Sequence, residues 1–216
     1  RISCDCVATS GGWQPTVHLF SQTRSKVKWD DALLAFVPGD SIPGQNNVSI
    51  GGAHGLYDLA GCLTEGHDAG AAAAREARFD SNAGSAASTE AAGAESPQRA
   101  LWIVPSEKPV GQGGKHFIDY QNDVTAADVM LAHREGYRSV EHLKRYTTMG
   151  MATDQGKTSN VNALAIMAGL RNVEIPSVGI TTYRPPYTRV TFGGFGVLMT
   201  FLPTYYYDQF GVSKVQ

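Results

Sequence analysis

Cysteine is scarce in this chain, with Cys4, Cys6 and Cys62 the three present. They are odd in number and lack the spacing of a zinc or iron–sulfur ligand set. Cys4 and Cys6 lie two apart, on one face of the strand expected over residues 1–10, and read as buried thiols of a reducing cytosol. Charge of one sign is also missing: 18 Lys and Arg meet 20 Asp and Glu, for a net charge of −2. That balance leaves no footprint for nucleic acid or an anionic membrane. The longest apolar run, Val190 to Pro203, is broken by glycines and falls short of the ~18 to 20 residues of a membrane span. No GxGxxG, HExxH, Ser-His-Asp or paired-carboxylate arrangement stands anywhere. The chain starts at Arg1 with no basic leader, so it reads as a cytoplasmic piece of a longer protein.

What is present is concentrated in residues 116–188. There Lys144, Arg145, Tyr146, Thr147 and Thr148 are followed by Asp154, Gln155, Gly156, Lys157, Thr158, Ser159 and Asn160. Hydroxyl-rich basic loops between helices serve more often as sites than as scaffolding. Thr125 and Asp128 form a capping box that opens a helix stopping near Gly136. Ser139 caps a second helix, VEHLKRYTT. Ser159 or Thr158 caps a third, NVNALAIMAGL, closed by Gly169. These three helices make a small helical module.

Upstream, Gly11-Gly12 ends the first strand. Trp29 to Phe36 reads as a short helix or strand stopped by Pro38-Gly39. Asn46 to Gly52 reads as a strand, and a helix follows from Tyr57. A strand, a glycine turn at Gly51-Gly52 and a helix bring backbone N–H groups to a helix N-terminus that favours an anion. Residues 79–100 are rich in Ala, Ser and Gly and read as a linker or disordered insertion. LWIVP, 101–105, reads as a strand. From Ser177 the pattern becomes extended, with Arg184 to Tyr187 as a stiff polyproline-like connector.

DYQNDVTAADVMLAHREGYRSVEHLKRYTTMGMATDQGKTSNVNALAI resembles the central segment of the alpha subunit of heterotetrameric sarcosine oxidase. VATSGGWQPTVHLFSQTRSKVKWDDALLAFVPG is similar to the same subunit just upstream. The resemblance implies an α+β chain. Residues 1–78 would be the C-terminal part of a Rossmann-like FAD/NAD-binding domain and 79–100 a linker. Residues 101–188 would be a central helical module resembling a [2Fe–2S]-type domain without its cysteines, hence with no iron–sulfur cluster. Residues 189–216 would start a further domain or tail.

Gly11, Gly12 and Pro15 resemble the crossover from a nicotinamide to a flavin domain. Ala53 and His54 stand where an Asp is usual in flavoenzymes. The resemblance further implies a partial NAD site, FMN shared with the beta subunit, and oxidative demethylation of sarcosine to glycine. Peroxide would form, and the one-carbon unit would pass to tetrahydrofolate. A related amine or opine dehydrogenase alpha subunit, or a non-enzymatic interaction module, are the competing readings.

The candidate cofactor contacts are Gly11, Gly12, Gly51, Gly52, Lys144, Arg145, Thr147, Thr148, Lys157, Thr158 and Ser159, with no catalytic residue and no metal. A P-loop reading of Gly156-Lys157-Thr158-Ser159 fails because Met151 stands where the first glycine belongs. A lysine beside a helix N-terminus can still hold a phosphate; solvated capping is the plain alternative. His54, His67 and His142 read as structural or interface histidines.

Overall fold

In the computed structural model, residues 3–6, 13–79, 84–90, 99–181, 183 and 193 are described. Their regular structure begins with helix α1, His18–Gln22, and a hairpin of β1, Val27–Asp30, and β2, Ala35–Pro38. Helix α2, Leu59–Glu76, and a second hairpin, β3, Phe117–Asp119, with β4, Val124–Thr125, come next. Helices α3, Ala126–Arg134, α4, Val140–Thr147, α5, Asn160–Arg171, and α6, Ile175–Val178, complete it. Both sheets are two-stranded and antiparallel. No helix among the described residues is long and apolar enough to cross a membrane.

Helix α5 is the centre of the core because it is apolar on nearly every side. Val161, Ala163, Leu164, Ala165, Ile166, Met167 and Ala168 are all buried along it. Val129 and Ala132 of α3 and Leu143 of α4 pack into the same cluster without exposure, joined by Ile118 and Val124 from the second hairpin. Each large side chain fully buried there contributes about 1.5 to 3 kcal/mol. The capping box is formed: the N–H and hydroxyl of Thr125 both donate to Asp128 Oδ2, at 2.8 and 2.7 Å. Helix α3 gives way to Gly136 at φ +97°.

Several expectations are corrected. Helix α5 runs through the exposed Gly169 and ends at Asn172, whose φ is +52°. Asn tolerates that left-handed conformation, so it serves as the stop. Trp29 to Phe36 is neither one helix nor one strand but the turn region of the first hairpin. Asp30 Oδ1 accepts the N–H groups of Ala32 and Leu33, both at 2.9 Å, which folds the chain back. Trp29 and Phe36 then pair across the strands edge-to-face, 5.1 Å between centroids.

Asn46–Gly52 is not a strand. A 3-10 helix, Gly51–Ala53, leads to α2, whose first N–H groups are capped by Asp58 at 3.1 and 2.8 Å. Residues 101–105 are irregular; Trp102 and Ile103 are apolar because they anchor a loop on the core. Residues 3–6 are irregular, with Cys4 and Cys6 exposed rather than buried, since no strand among the described residues pairs with them. Of the 79–100 segment, 79, 84–90 and 99–100 are described and non-helical. Arg184 to Tyr187 lies outside the described residues.

Candidate functional site

The β3–β4 turn, Asp119 to Asn122, reaches across to the loop between α4 and α5 and fixes its course. Asp119, 2% exposed, accepts the N–H groups of Gln121 and Asn122 at 2.9 and 3.2 Å and that of Gly150 at 2.7 Å. Three N–H donors are what make a buried carboxylate tolerable. Gln121 Oε1 accepts the Thr153 hydroxyl at 2.7 Å and the Asp154 N–H at 3.3 Å. Asn122 donates to the Thr148 carbonyl at 2.8 Å.

Within the loop, Asp154 accepts the Gly156 N–H at 3.1 Å, the Thr158 N–H at 3.2 Å and the Thr158 hydroxyl at 2.6 Å. Burial pushes the Asp154 carboxyl up, but those three bonds and the charge of Lys157 outweigh it and leave the group below its usual range. The loop then passes over Asn160, which is 2% exposed and donates to the Thr181 hydroxyl at 3.0 Å. Gly150 and Gly156 have φ of +65° and +77°, and a Cβ on Gly156 would lie 2.3 Å from Asn160 Oδ1. Only glycine fits there.

On the far side of Asn160 lies a small pocket of about 50 Å³, lined among others by Gln14, Thr16, His18, Lys157 and Tyr183. It has room for a few water-sized groups, enough for a phosphoryl or carboxylate head and too little for a ring system. His18, on α1, is buried, with its ring centroid 3.8 Å from that of Tyr183. Burial, then the charges of Lys157 and Lys144, push the His18 pKa down to about 4 against the opposing pull of Asp154. Both lysines therefore throw positive potential onto one neutral imidazole. Burial raises the Tyr183 phenol to about 12, opposed by a hydrogen bond from Asn160.

The structure thus brings Lys144 and Lys157 to bear on one place. Of the other expected contacts in this loop, Arg145, Thr147, Thr148 and Thr158 are engaged elsewhere. Arg145 pairs with Glu141 at 3.1 Å and donates to its carbonyl at 2.8 Å. The Thr147 and Thr148 hydroxyls donate to the carbonyls of Leu143 and Thr147, at 2.8 and 2.6 Å. Thr158 is held by Asp154. The Ser159 hydroxyl is buried with no partner among the described residues.

Gly51 and Gly52 belong to a separate part of the chain. The Gly51 N–H donates to Glu65 at 2.7 Å. That bond, with His54 assisting and burial opposing, holds the Glu65 carboxyl below its usual range. The seat that an external anion would take at this turn is filled by the protein's own carboxylate. Gly11 and Gly12 lie outside the described residues.

His18, Tyr183 and Thr181 were not singled out from the sequence. The one signal for His18 is a histidine set between Val17 and Leu19, the pattern of an imidazole placed in an apolar wall. No group of three His, Cys, Asp or Glu among the described residues is arranged to hold a metal.

Comparison with known proteins adds to this geometry. Residues 113–197 match the sarcosine oxidase A3 domain family. The sarcosine oxidase subunit alpha of Corynebacterium sp. strain P-1 is 40% identical over 195 residues, 89% of this chain and 20% of that protein. That of Corynebacterium sp. strain U-96 is 42% identical over 197 residues, with the same coverage. The Rhizobium meliloti strain 1021 protein is 42% identical over 193 residues, 89% of this chain and 19% of that one. The chain therefore spans about a fifth of the length of these relatives. The crystal structure of L-proline dehydrogenase from P. horikoshii superposes with a TM-score of 0.60 at 17% identity, covering 83% of this chain and 37% of that one. At that identity the likeness is one of fold.

Proposed function

Because this chain belongs to the family of sarcosine oxidase alpha subunits, we propose that it works as part of a flavin-dependent amine-oxidising enzyme. In this reading it supports oxidative demethylation of sarcosine to glycine, with peroxide formation and one-carbon transfer to tetrahydrofolate. Its partner is a beta subunit that carries the amine-oxidising flavin. This chain alone is then inactive, since no acid–base set among its described residues is arranged for catalysis.

Its own contribution is an anion seat on the Lys157 side of the loop, which takes the phosphate of an FMN shared with the beta subunit. The observation that carries this is Lys157 on the wall of the pocket at His18, with the charge of Lys144 also acting on that imidazole. A phosphate needs fixed positive charge to offset its desolvation, and neutral donors complete its shell. Gln14 and Thr16, which line the pocket, offer such donors. The size of the pocket suits the phosphoryl head alone. Bound FMN would supply electron transfer; what this chain does is hold one end of it.

The original set of contacts narrows accordingly. Arg145, Thr147, Thr148 and Thr158 are satisfied internally and serve the shape of the loop. A dinucleotide pyrophosphate does not fit the Gly51-Gly52 turn, because Glu65 holds its N–H. NAD binding, if part of the whole enzyme, is carried by other residues.

The test is Lys157→Ala and Arg145→Ala in complexes of the chain with a sarcosine oxidase beta subunit, measuring bound FMN and subunit association separately. Loss of a charge-assisted bond costs roughly 1.5 to 3 kcal/mol, about tenfold to a hundredfold in affinity. Lys157→Ala is expected to lose FMN by that factor and Arg145→Ala to retain it. Full FMN affinity in the Lys157 variant would make the loop a capped, solvated turn.

A further inference from the structure

A second cavity, of about 380 Å³, opens where the glycine-rich loop before β3 faces the start of α3. It shares no lining residue with the pocket at His18, and nothing in the flavin reading uses it. Its wall carries both signs of charge. Lys115 stands 5.8 Å from the centroid of the Phe117 ring, and Asp123 faces the same cavity. Among the described residues neither of them forms an ion pair. Asp128, also in the wall, already spends its carboxylate on the N–H and hydroxyl of Thr125.

Two further features point inward to a ligand. Gly113 and Gly114 line the cavity, and their N–H groups donate to no acceptor among the described residues. A Cβ on Gly114 would meet nothing within 4 Å, so its backbone borders open space. Val110 and Ala127 supply an apolar portion of the wall.

We propose that this cavity binds a free α-amino acid in its zwitterionic form. The carboxylate lies toward Lys115 and the N–H groups of Gly113 and Gly114. The ammonium lies toward Asp123, and a small apolar side chain rests on Val110 and Ala127. A simple anion fits less well, because it would sit beside the carboxylates of Asp123 and Asp128. A simple cation would leave Lys115 and the glycine N–H groups without a partner. Only a ligand with both charges uses the whole wall.

The experiment is isothermal titration of the 216-residue chain with glycine, L-alanine and L-valine, set against propionate, n-propylamine and inorganic phosphate. At least one amino acid is expected to bind saturably at one site, with each single-charge compound roughly tenfold weaker or more. Lys115→Met and Asp123→Asn are each expected to weaken amino-acid binding by roughly tenfold, while Lys157→Ala leaves it unchanged. Absence of saturable binding by all three amino acids overturns the proposal. So does binding of propionate, propylamine or phosphate as tight as that of the amino acid, or full-strength binding in both wall variants. Because Lys157 serves the flavin reading and lies outside this cavity, failure here and failure of that reading are told apart.

Discussion

Gly156→Ala should be among the most damaging single-methyl changes in the chain. The residue has φ +77°, and an added Cβ would sit 2.3 to 2.5 Å from the Asn160 side-chain amide. Asn160 is 2% exposed and tied to Thr181, so it has no space into which to retreat. The left-handed backbone costs a non-glycine residue about 1 to 2 kcal/mol. Forcing a methyl into a packed interior adds about 1 to 3 kcal/mol, which brings the expected loss to about 2 to 5 kcal/mol. Gly169→Ala is the matched control. That residue lies inside α5, is exposed, and a Cβ there would meet nothing within 4 Å. Ala should stabilise by about 0.5 to 1 kcal/mol through helix propensity. Urea denaturation of the two variants and the parent, followed by circular dichroism at 222 nm, reads both values. A Gly156→Ala loss below about 1 kcal/mol, or equal effects at the two positions, would refute the packing of this loop on Asn160.

Other outcomes follow from the same structure. Asp128→Ala removes half of the capping box and should cost about 1 kcal/mol in denaturant titration. Leu164→Ala empties a fully buried site in α5 and should cost about 2 to 5 kcal/mol by the same method. His18 has its pKa lowered from 6.5 to about 4, so between those values the unfolded chain takes up a proton that the folded chain refuses. Stability should therefore fall as pH drops from 6.5 toward 4. His18→Gln should flatten that part of the stability–pH curve, and an unchanged slope would count against a buried neutral imidazole. Asp154 behaves alike in sign for a different reason: its folded carboxyl is lowered, so its contribution is complete above the unfolded value and is lost as pH falls through the folded one.

The helical module was legible because its signals are local. The Thr125–Asp128 capping box, the apolar run of α5 and the position of Ser139 each declare a helix within a few residues of sequence. Helix α2, expected from Tyr57, was legible through its Ala-rich run, although it begins two residues later, at Leu59, behind the Asp58 cap. The strands misread were those whose fate depends on distant partners. Asn46–Gly52 has strand-like residues, but Glu65, well along in sequence, takes the Gly51 N–H and draws the segment into a turn. LWIVP looks like a strand because it is apolar, and two of its residues, Trp102 and Ile103, are spent on anchoring a loop while Leu101 and Val104 stay exposed.

The site divides along the same line. The basic loop could be seen as a chemical region, yet composition could not show that Arg145 turns to Glu141 while Lys157 donates to the Asp154 carbonyl and lines the pocket at His18. Nor could it show His18 itself, which comes from α1, far upstream, and meets the loop only through tertiary packing. Asp154 illustrates the limit. Its sequence neighbours suggest an anion-binding loop before a helix start, and its own carboxylate takes the Gly156 and Thr158 N–H groups of that loop.

Flavin retention on co-expression decides whether this chain shares FMN with a beta subunit. The chain is co-expressed with a sarcosine oxidase beta subunit, the complex is purified through a tag on the chain, and FMN per complex is quantified by absorbance and by release on denaturation. The two are expected to co-purify, and the complex to hold more FMN than either polypeptide alone. Co-purification with no gain in FMN over the beta subunit, or failure of the two to associate, would contradict it.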